Sequence, residues 1–166
     1  MGVTLQQITK GGMPVDKDSF VTRIEAKADS LYRVAWAILG HNADVADALQ
    51  ETALRAWQYR EKLRHEEYFG TWVTRICINT CRSMQNARRR LVSIEEVPEP
   101  SAAPYDPALN LALAALPEQL WLPLVLCYSE GMTYTEIATT LHLPVATVRG
   151  RIHRAKKELR KELDAE

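Results

Sequence analysis

Arg149, Gly150, His153, Arg154, Lys156 and Lys157 recur at spacings that put cationic and hydrogen-bonding groups on the outer side of one helix. Side chains of this kind reach base edges and phosphates, and an exposed helix carrying them fits the major groove of duplex DNA. The helix itself is written by Val148, Ile152, Ala155 and Leu159, apolar residues at successive spacings of four, three and four. A second helix must lie against that stripe. Thr133 with Glu136 three residues on forms a capping box, in which hydroxyl and carboxylate satisfy each other's free backbone N–H groups. Ile137, Ala138 and Leu141 then share an inner face, and His142, Leu143 and Pro144 turn the chain. Residues 131–163 therefore read as a helix-turn-helix. An amphipathic hairpin with a merely solvated face would have the same apolar pattern, but it would alternate its charges. Here seven Lys or Arg residues between Arg149 and Lys161 face the single acid Glu158, in a chain whose 21 basic and 21 acidic residues balance. The basic patch is segregation of charge and not general basicity.

A second basic concentration, Arg75, Arg82, Arg88, Arg89 and Arg90, has no acid within it and lies on a helix predicted over residues 69–90. Trp72, Val73, Ile76, Thr80 and Met84 point that helix inward. Before it, Asp44, Asp47, Gln50, Glu51 and Arg55 form one polar face of a helix whose other side carries Val45, Leu49, Ala53, Ala56 and Trp57. Such a face is a solvated surface or a docking site for a protein partner. Phe20, Ile24, Ala28, Leu31, Ala35 and Ile38 mark a first helix, ended at Gly40. After Arg90 the composition changes: residues 91–107 hold four prolines and four acids with no Lys or Arg, an extended acidic linker. Leu109, Leu113 and Leu116 mark a short helix, Pro117 opens another that reaches Tyr128, and Pro123 should bend it. The fold class is all-α, with two small helical domains. A loose tail occupies residues 1–15, the first domain 16–90, the Pro-rich linker 91–108 and the second domain, with its helix-turn-helix, 109–166.

Several functions are excluded. No apolar run approaches the roughly 18 residues of a membrane span, and no charged start with an apolar stretch suggests secretion, so a cytoplasmic protein without membrane insertion is expected. Cys77, Cys81 and Cys127 are dispersed, which argues against disulfides. Cys77 and Cys81 could supply half a zinc site, but no second pair of ligands follows, and no metal or cofactor is expected. No Gly-rich phosphate loop, clustered carboxylates or nucleophile with its base marks an enzyme. A stand-alone helix-turn-helix regulator would explain residues 131–163, but it leaves the polar face at 47–57 and the acidic tether without purpose.

Four ordered segments, ADALQETALRAWQYREKLR, FGTWVTRICINTCRSM, LPEQLWLPLVLCYSEGMTYTEIA and LPVATVRGRIHRAKKEL, resemble an extracytoplasmic-function (ECF) sigma factor of the bacterial sigma-70 family. The resemblance covers residues 18–163. It implies a dissociable specificity subunit that directs core RNA polymerase to promoters and helps open the DNA. In that family the first domain, region 2, binds the clamp helices of the beta-prime subunit; the matching segment here offers Asp47, Gln50, Glu51 and Arg55. Arg64, His65 and Glu66 match the loop that captures a flipped minus-10 base, with Arg75, Asn79 and Arg82 on the neighbouring helix holding the single strand. The second domain, region 4, lies on the flap of the beta subunit and reads the minus-35 element; Thr147, Arg149, Gly150, His153, Arg154, Lys156 and Lys157 match there. Gly150 stands where Ser is more usual and Arg82 where many members have an acid. The resemblance also implies a linker threaded through the polymerase and an anti-sigma factor as a further partner.

Overall fold

The computed structural model describes residues 16–91 and 107–165. The expected tail and the greater part of the expected linker lie outside the described residues. Helix α1 (Lys17–Leu39) starts where the Asp16 carboxylate accepts from the Ser19 N–H at 3.0 Å. It ends at Gly40, whose φ of 70° is left-handed backbone open to glycine without steric cost. Helix α2 (Asn42–Tyr59) and helix α3 (Phe69–Leu91) follow, joined by two single 3₁₀ turns, Arg60–Lys62 and Glu66–Tyr68. The second half holds α4 (Pro107–Ala114), α5 (Glu118–Tyr128), α6 (Tyr134–Leu141) and α7 (Val145–Asp164). Every regular element among the described residues is helical. Helices extend one residue past the expected start of the linker and two residues before its expected end.

Both bonds of the capping box form, the Glu136 N–H donating to the Thr133 hydroxyl at 3.2 Å and the Thr133 N–H to the Glu136 carboxylate at 2.8 Å, and His142 closes α6 in left-handed conformation with φ 55°. Other expectations shift. Ala28, expected inward, is exposed, and the stripe that α2 buries is Val45, Ala48, Thr52 and Ala56, with Leu49, Ala53 and Trp57 half-buried beside it. Thr52 enters the core because its hydroxyl donates back to the Ala48 carbonyl at 2.6 Å and leaves no polar group unpaired. Leu116 is buried but lies past the end of α4, in the turn before α5. Helix α5 continues through Pro123, which is buried. That proline falls six residues into α5, so the backbone bond it cannot donate is the one to Gln119 in the first turn.

The first three helices pack around Phe20, Leu31, Val45, Ala56, Val73 and Ile78, and Phe20 stands edge-on to Trp57 at 5.1 Å between ring centroids. Helices α5, α6 and α7 close a second core around Leu126, Ile137, Val148 and Ile152. The two cores are continuous. Helix α1 packs on α5, and Trp36 meets Trp121 edge-to-face with centroids 4.8 Å apart.

Cys77 and Cys81 are buried in α3, and the Cys77 Sγ lies 3.8 Å from the Leu31 carbonyl. A hydrogen bond with Cys77, and then burial, hold the Cys81 thiol well above its ordinary range. Cys77 is closed to reagents by its burial, and Cys81 by burial and by the loss of its reactive thiolate form, so both thiols should be inert in the folded chain. A disulfide-exchange reagent at pH 8 should modify Cys77 and Cys81 roughly 100-fold or more slowly than a free thiol until denaturant is added. Three thiols reacting at the free rate in the native protein would contradict the packing.

Candidate nucleic-acid interface

Helix α7 buries Val148, Ile152 and Ala155 almost completely, and this decides what points outward. Arg149, Gly150, His153, Arg154 and Lys157 are exposed, with Thr147 half-exposed near the helix start. A Cβ built on Gly150 would meet nothing within 4 Å, so no packing inside the chain requires a glycine there. What its missing side chain provides is a low point on the outward face, where backbone can approach a ligand closely. Lys156 is set apart from its neighbours. Its ammonium lies 4.8 Å over the Tyr128 ring, and pairing with that side chain holds it more firmly protonated than an ordinary lysine.

On α3, Arg75, Asn79 and Arg82 follow one another at spacings of four and three and so share one stripe. The structure brings the second half of the molecule against that stripe. Arg75 Nε donates to the Thr140 hydroxyl on α6 at 3.0 Å. Arg82 lines a 410 Å³ cleft with Pro117, Glu118, Leu141 and Arg151. Asn79 is exposed. Arg151 was not among the residues singled out from the sequence, because its position on α7 lies between the apolar and the outward faces.

The loop between α2 and α3 carries Arg64, His65 and Glu66, all exposed. The Glu66 carboxylate forms an ion pair with Arg23 on α1, which anchors the loop. The His65 ring stands edge-on to Tyr68 at 5.9 Å, and Tyr68 is 55% exposed. Tyr68 is a residue that sequence reasoning missed, although an aromatic in a charged loop is a signal for base stacking. Across α2, Asp47 and Gln50 are exposed, while Glu51 accepts from Arg55 Nε at 2.7 Å in an i,i+4 pair. An exposed pair of this kind contributes little to stability, so both groups stay open to an outside partner. The described residues contain no cluster of three or more potential metal ligands, and no helix is long and apolar enough to cross a membrane.

Residues 24–91 match the family model of sigma-70 region 2, and residues 107–159 match that of sigma-70 region 4. The chain is 32% identical to the ECF RNA polymerase sigma factor SigE of Mycolicibacterium smegmatis over 82% of its own length, spanning 58% of that relative. It is 26% identical to the ECF sigma factor SigW of Bacillus subtilis, over 96% of this chain and 94% of the other. The ECF sigma-E factor of Haemophilus influenzae is 30% identical, with 69% and 71% covered. Among solved structures, the sigma factor RpoE of Bartonella quintana, in complex with the anti-sigma factor NepR, shares the fold with a TM-score of 0.75. That match covers 90% of this chain and 98% of the other at 22% identity.

The expectation that Arg149 reads a base edge while Lys157 grips the backbone can be tested on the exposed face of α7. With core RNA polymerase present, Arg149→Ala should relax preference at one base pair of a randomised promoter library, since a bidentate base contact discriminates by about 1–3 kcal/mol. Lys157→Ala should weaken all sequences alike and flatten the log–log salt dependence by roughly 0.9. A motif reshaped by Lys157→Ala, or affinity lowered uniformly by Arg149→Ala, would contradict the assignment.

Proposed function

Because this chain belongs to the sigma-70 family, as an extracytoplasmic-function RNA polymerase sigma factor and not an enzyme, we propose how its two halves share the work. The α2 face of Asp47, Gln50, Glu51 and Arg55 docks on the beta-prime clamp helices of core RNA polymerase. Arg64, His65 and Glu66, with Tyr68 as a stacking platform beside them, receive an unstacked minus-10 base. Arg75, Asn79 and Arg82 hold the separated strand and its phosphates. The second half lies on the beta flap and sets Arg149, Gly150, His153 and Arg154 into the minus-35 major groove, with Lys156 and Lys157 toward the backbone. The work is done in the bacterial cytoplasm.

The observation that carries this reading is the segregation of surfaces on helices whose other sides are buried. Basic residues leave the core on α3 and α7, whereas the outward side of α2 offers carboxylates, an amide and one guanidinium. Two DNA faces on one neutral chain, with a third face of different character, fit a subunit that borrows most of its DNA affinity from a larger partner. Bartonella RpoE was solved with the anti-sigma factor NepR, which supports the reading that this chain too is held by an anti-sigma partner.

Asp47→Lys combined with Glu51→Lys tests the docking face. Both positions lie away from the buried stripe of α2, so helicity and melting temperature should stay near those of the unaltered protein, surface changes being usually within about 0.5 kcal/mol. Co-purification with core polymerase should fall at least tenfold. Recovery at the unaltered yield would leave that face a solvated surface and remove it from the proposal.

A further inference from the structure

The loop that carries Arg64, His65 and Glu66 is fastened at two points. Leu63, where it begins, is buried. Three residues on, the Glu66 carboxylate takes the Arg23 guanidinium of α1 through Oε1. Arg23 is itself seated on the core of the first half: its guanidinium carbon lies 5.8 Å from the centroid of the Phe69 ring, and Phe69 is buried edge-on to Phe20 at 6.1 Å. Within the loop the Tyr68 N–H donates to the His65 carbonyl at 3.1 Å and closes a 3₁₀ turn. The course of the chain from Leu63 to Phe69 is thus set by aromatic packing and by one residue, Arg23, that lies 43 positions before its partner.

An exposed ion pair contributes little to stability, so holding the fold together does not account for this one. What the pair does is orient Glu66. Its Oε1 is committed to Arg23, and among the described residues no other group bonds this side chain, which is 44% exposed next to His65 and Tyr68. The remaining oxygen, Oε2, can only accept. Arg23 also offsets the charge that would set a bare carboxylate against the phosphates of a DNA strand. An acceptor held in one place beside a stacking ring suits one kind of base edge. It pairs with the 4-amino group of cytosine or the 6-amino group of adenine, whereas the keto oxygen that thymine and guanine carry there would face it acceptor to acceptor.

We propose that Arg23 is a positioning residue for promoter recognition: by holding Glu66 through one oxygen it presents the other to the unstacked minus-10 base, and so makes this chain select an amino base, cytosine or adenine, over a keto base, thymine or guanine. The inference rests on the reading of the loop as the place that receives that base. It adds which chemical class of base the loop accepts and which residue outside the loop sets the choice. His65 and Tyr68 supply ring surface, which every base can stack on, and Glu66 supplies the discrimination.

Transcription by core polymerase and the full chain from a promoter library randomised through the minus-10 element, with the minus-35 element constant, reads the preference position by position. One minus-10 position should favour cytosine or adenine about tenfold or more over thymine and guanine. Glu66→Gln keeps a carbonyl oxygen for Arg23 and turns the other end into an N–H donor, so preference at that position alone should move to thymine or guanine. Arg23→Met keeps an unbranched stem against Phe69 and releases the carboxylate. Discrimination at the same position should fall at least about fivefold, with the other positions and the melting temperature retained. Arg23→Lys, which keeps the charge, should preserve most of the discrimination. Full discrimination in Arg23→Met, an Arg23→Lys chain as indifferent as Arg23→Met, or a Glu66→Gln chain that still selects the amino base would each overturn the proposal. His65→Ala with Tyr68→Ala separates it from the reading of the loop. If that double variant flattens one minus-10 position while Arg23→Met and Glu66→Gln leave it intact, the loop reading stands and the role of Arg23 falls. Indifference of the minus-10 preference to all of these variants removes the loop from recognition, and the inference with it.

Discussion

The burial of one apolar stripe per helix is the constraint on which everything else in this molecule depends. On α7 the stripe is Val148, Ile152 and Ala155, and once it faces α5 and α6 the helix has no freedom left in which residues it shows to solvent. Truncating a side chain such as Ile152 to alanine costs about 2–5 kcal/mol. An exposed ion pair such as Lys161–Glu158 is worth at most about 1 kcal/mol. Packing therefore aims the cationic face, and surface charge contributes little to holding it. The same holds for α3, where Val73, Cys77, Ile78 and Cys81 lock the helix and leave Arg75 and Asn79 outside.

The contact between the halves has a different energetic character. Trp36 and Trp121 supply apolar area, but both indole N–H groups and Glu130 Oε1 are buried without a hydrogen-bond partner among the described residues. Each such orphan costs about 1–3 kcal/mol, which offsets much of what the edge-to-face rings contribute.

Most local structure was legible in the sequence because it is written locally. Thr133 and Glu136 state the start of α6, His142 to Pro144 state the turn, Gly40 states the end of α1, and the apolar spacing of α7 states its buried side. The family was legible in the order of four segments. The docking of the halves was not, because its parts are far apart in sequence and each is ordinary where it stands. Glu130 and Lys27 pair across the halves at 2.8 Å, yet Glu130 reads as a surface acid before the turn at Gly131, and Lys27 as a solvated lysine. One signal was present and passed over. Residues 34–38 of α1, VAWAI, are apolar all round, and all five are buried. A helix apolar on every side is covered on every side, here by α2 and α3 on one flank and α5 on another. The single stripe of Leu31, Ala35 and Ile38 accounts for the first flank only. Tyr68 and Arg151 were missed for a related reason, since each gains its place from neighbours that folding brings to it.

The most direct test of the whole account is transcription reconstituted from purified core RNA polymerase, this chain and genomic DNA fragments, with start sites mapped. The account predicts transcripts that require the chain and start downstream of a shared pair of upstream elements, while the free chain at physiological salt leaves no sequence-specific footprint. Tight, specific footprints by the free chain together with no chain-dependent transcripts would contradict it, and would identify a stand-alone DNA-binding regulator instead.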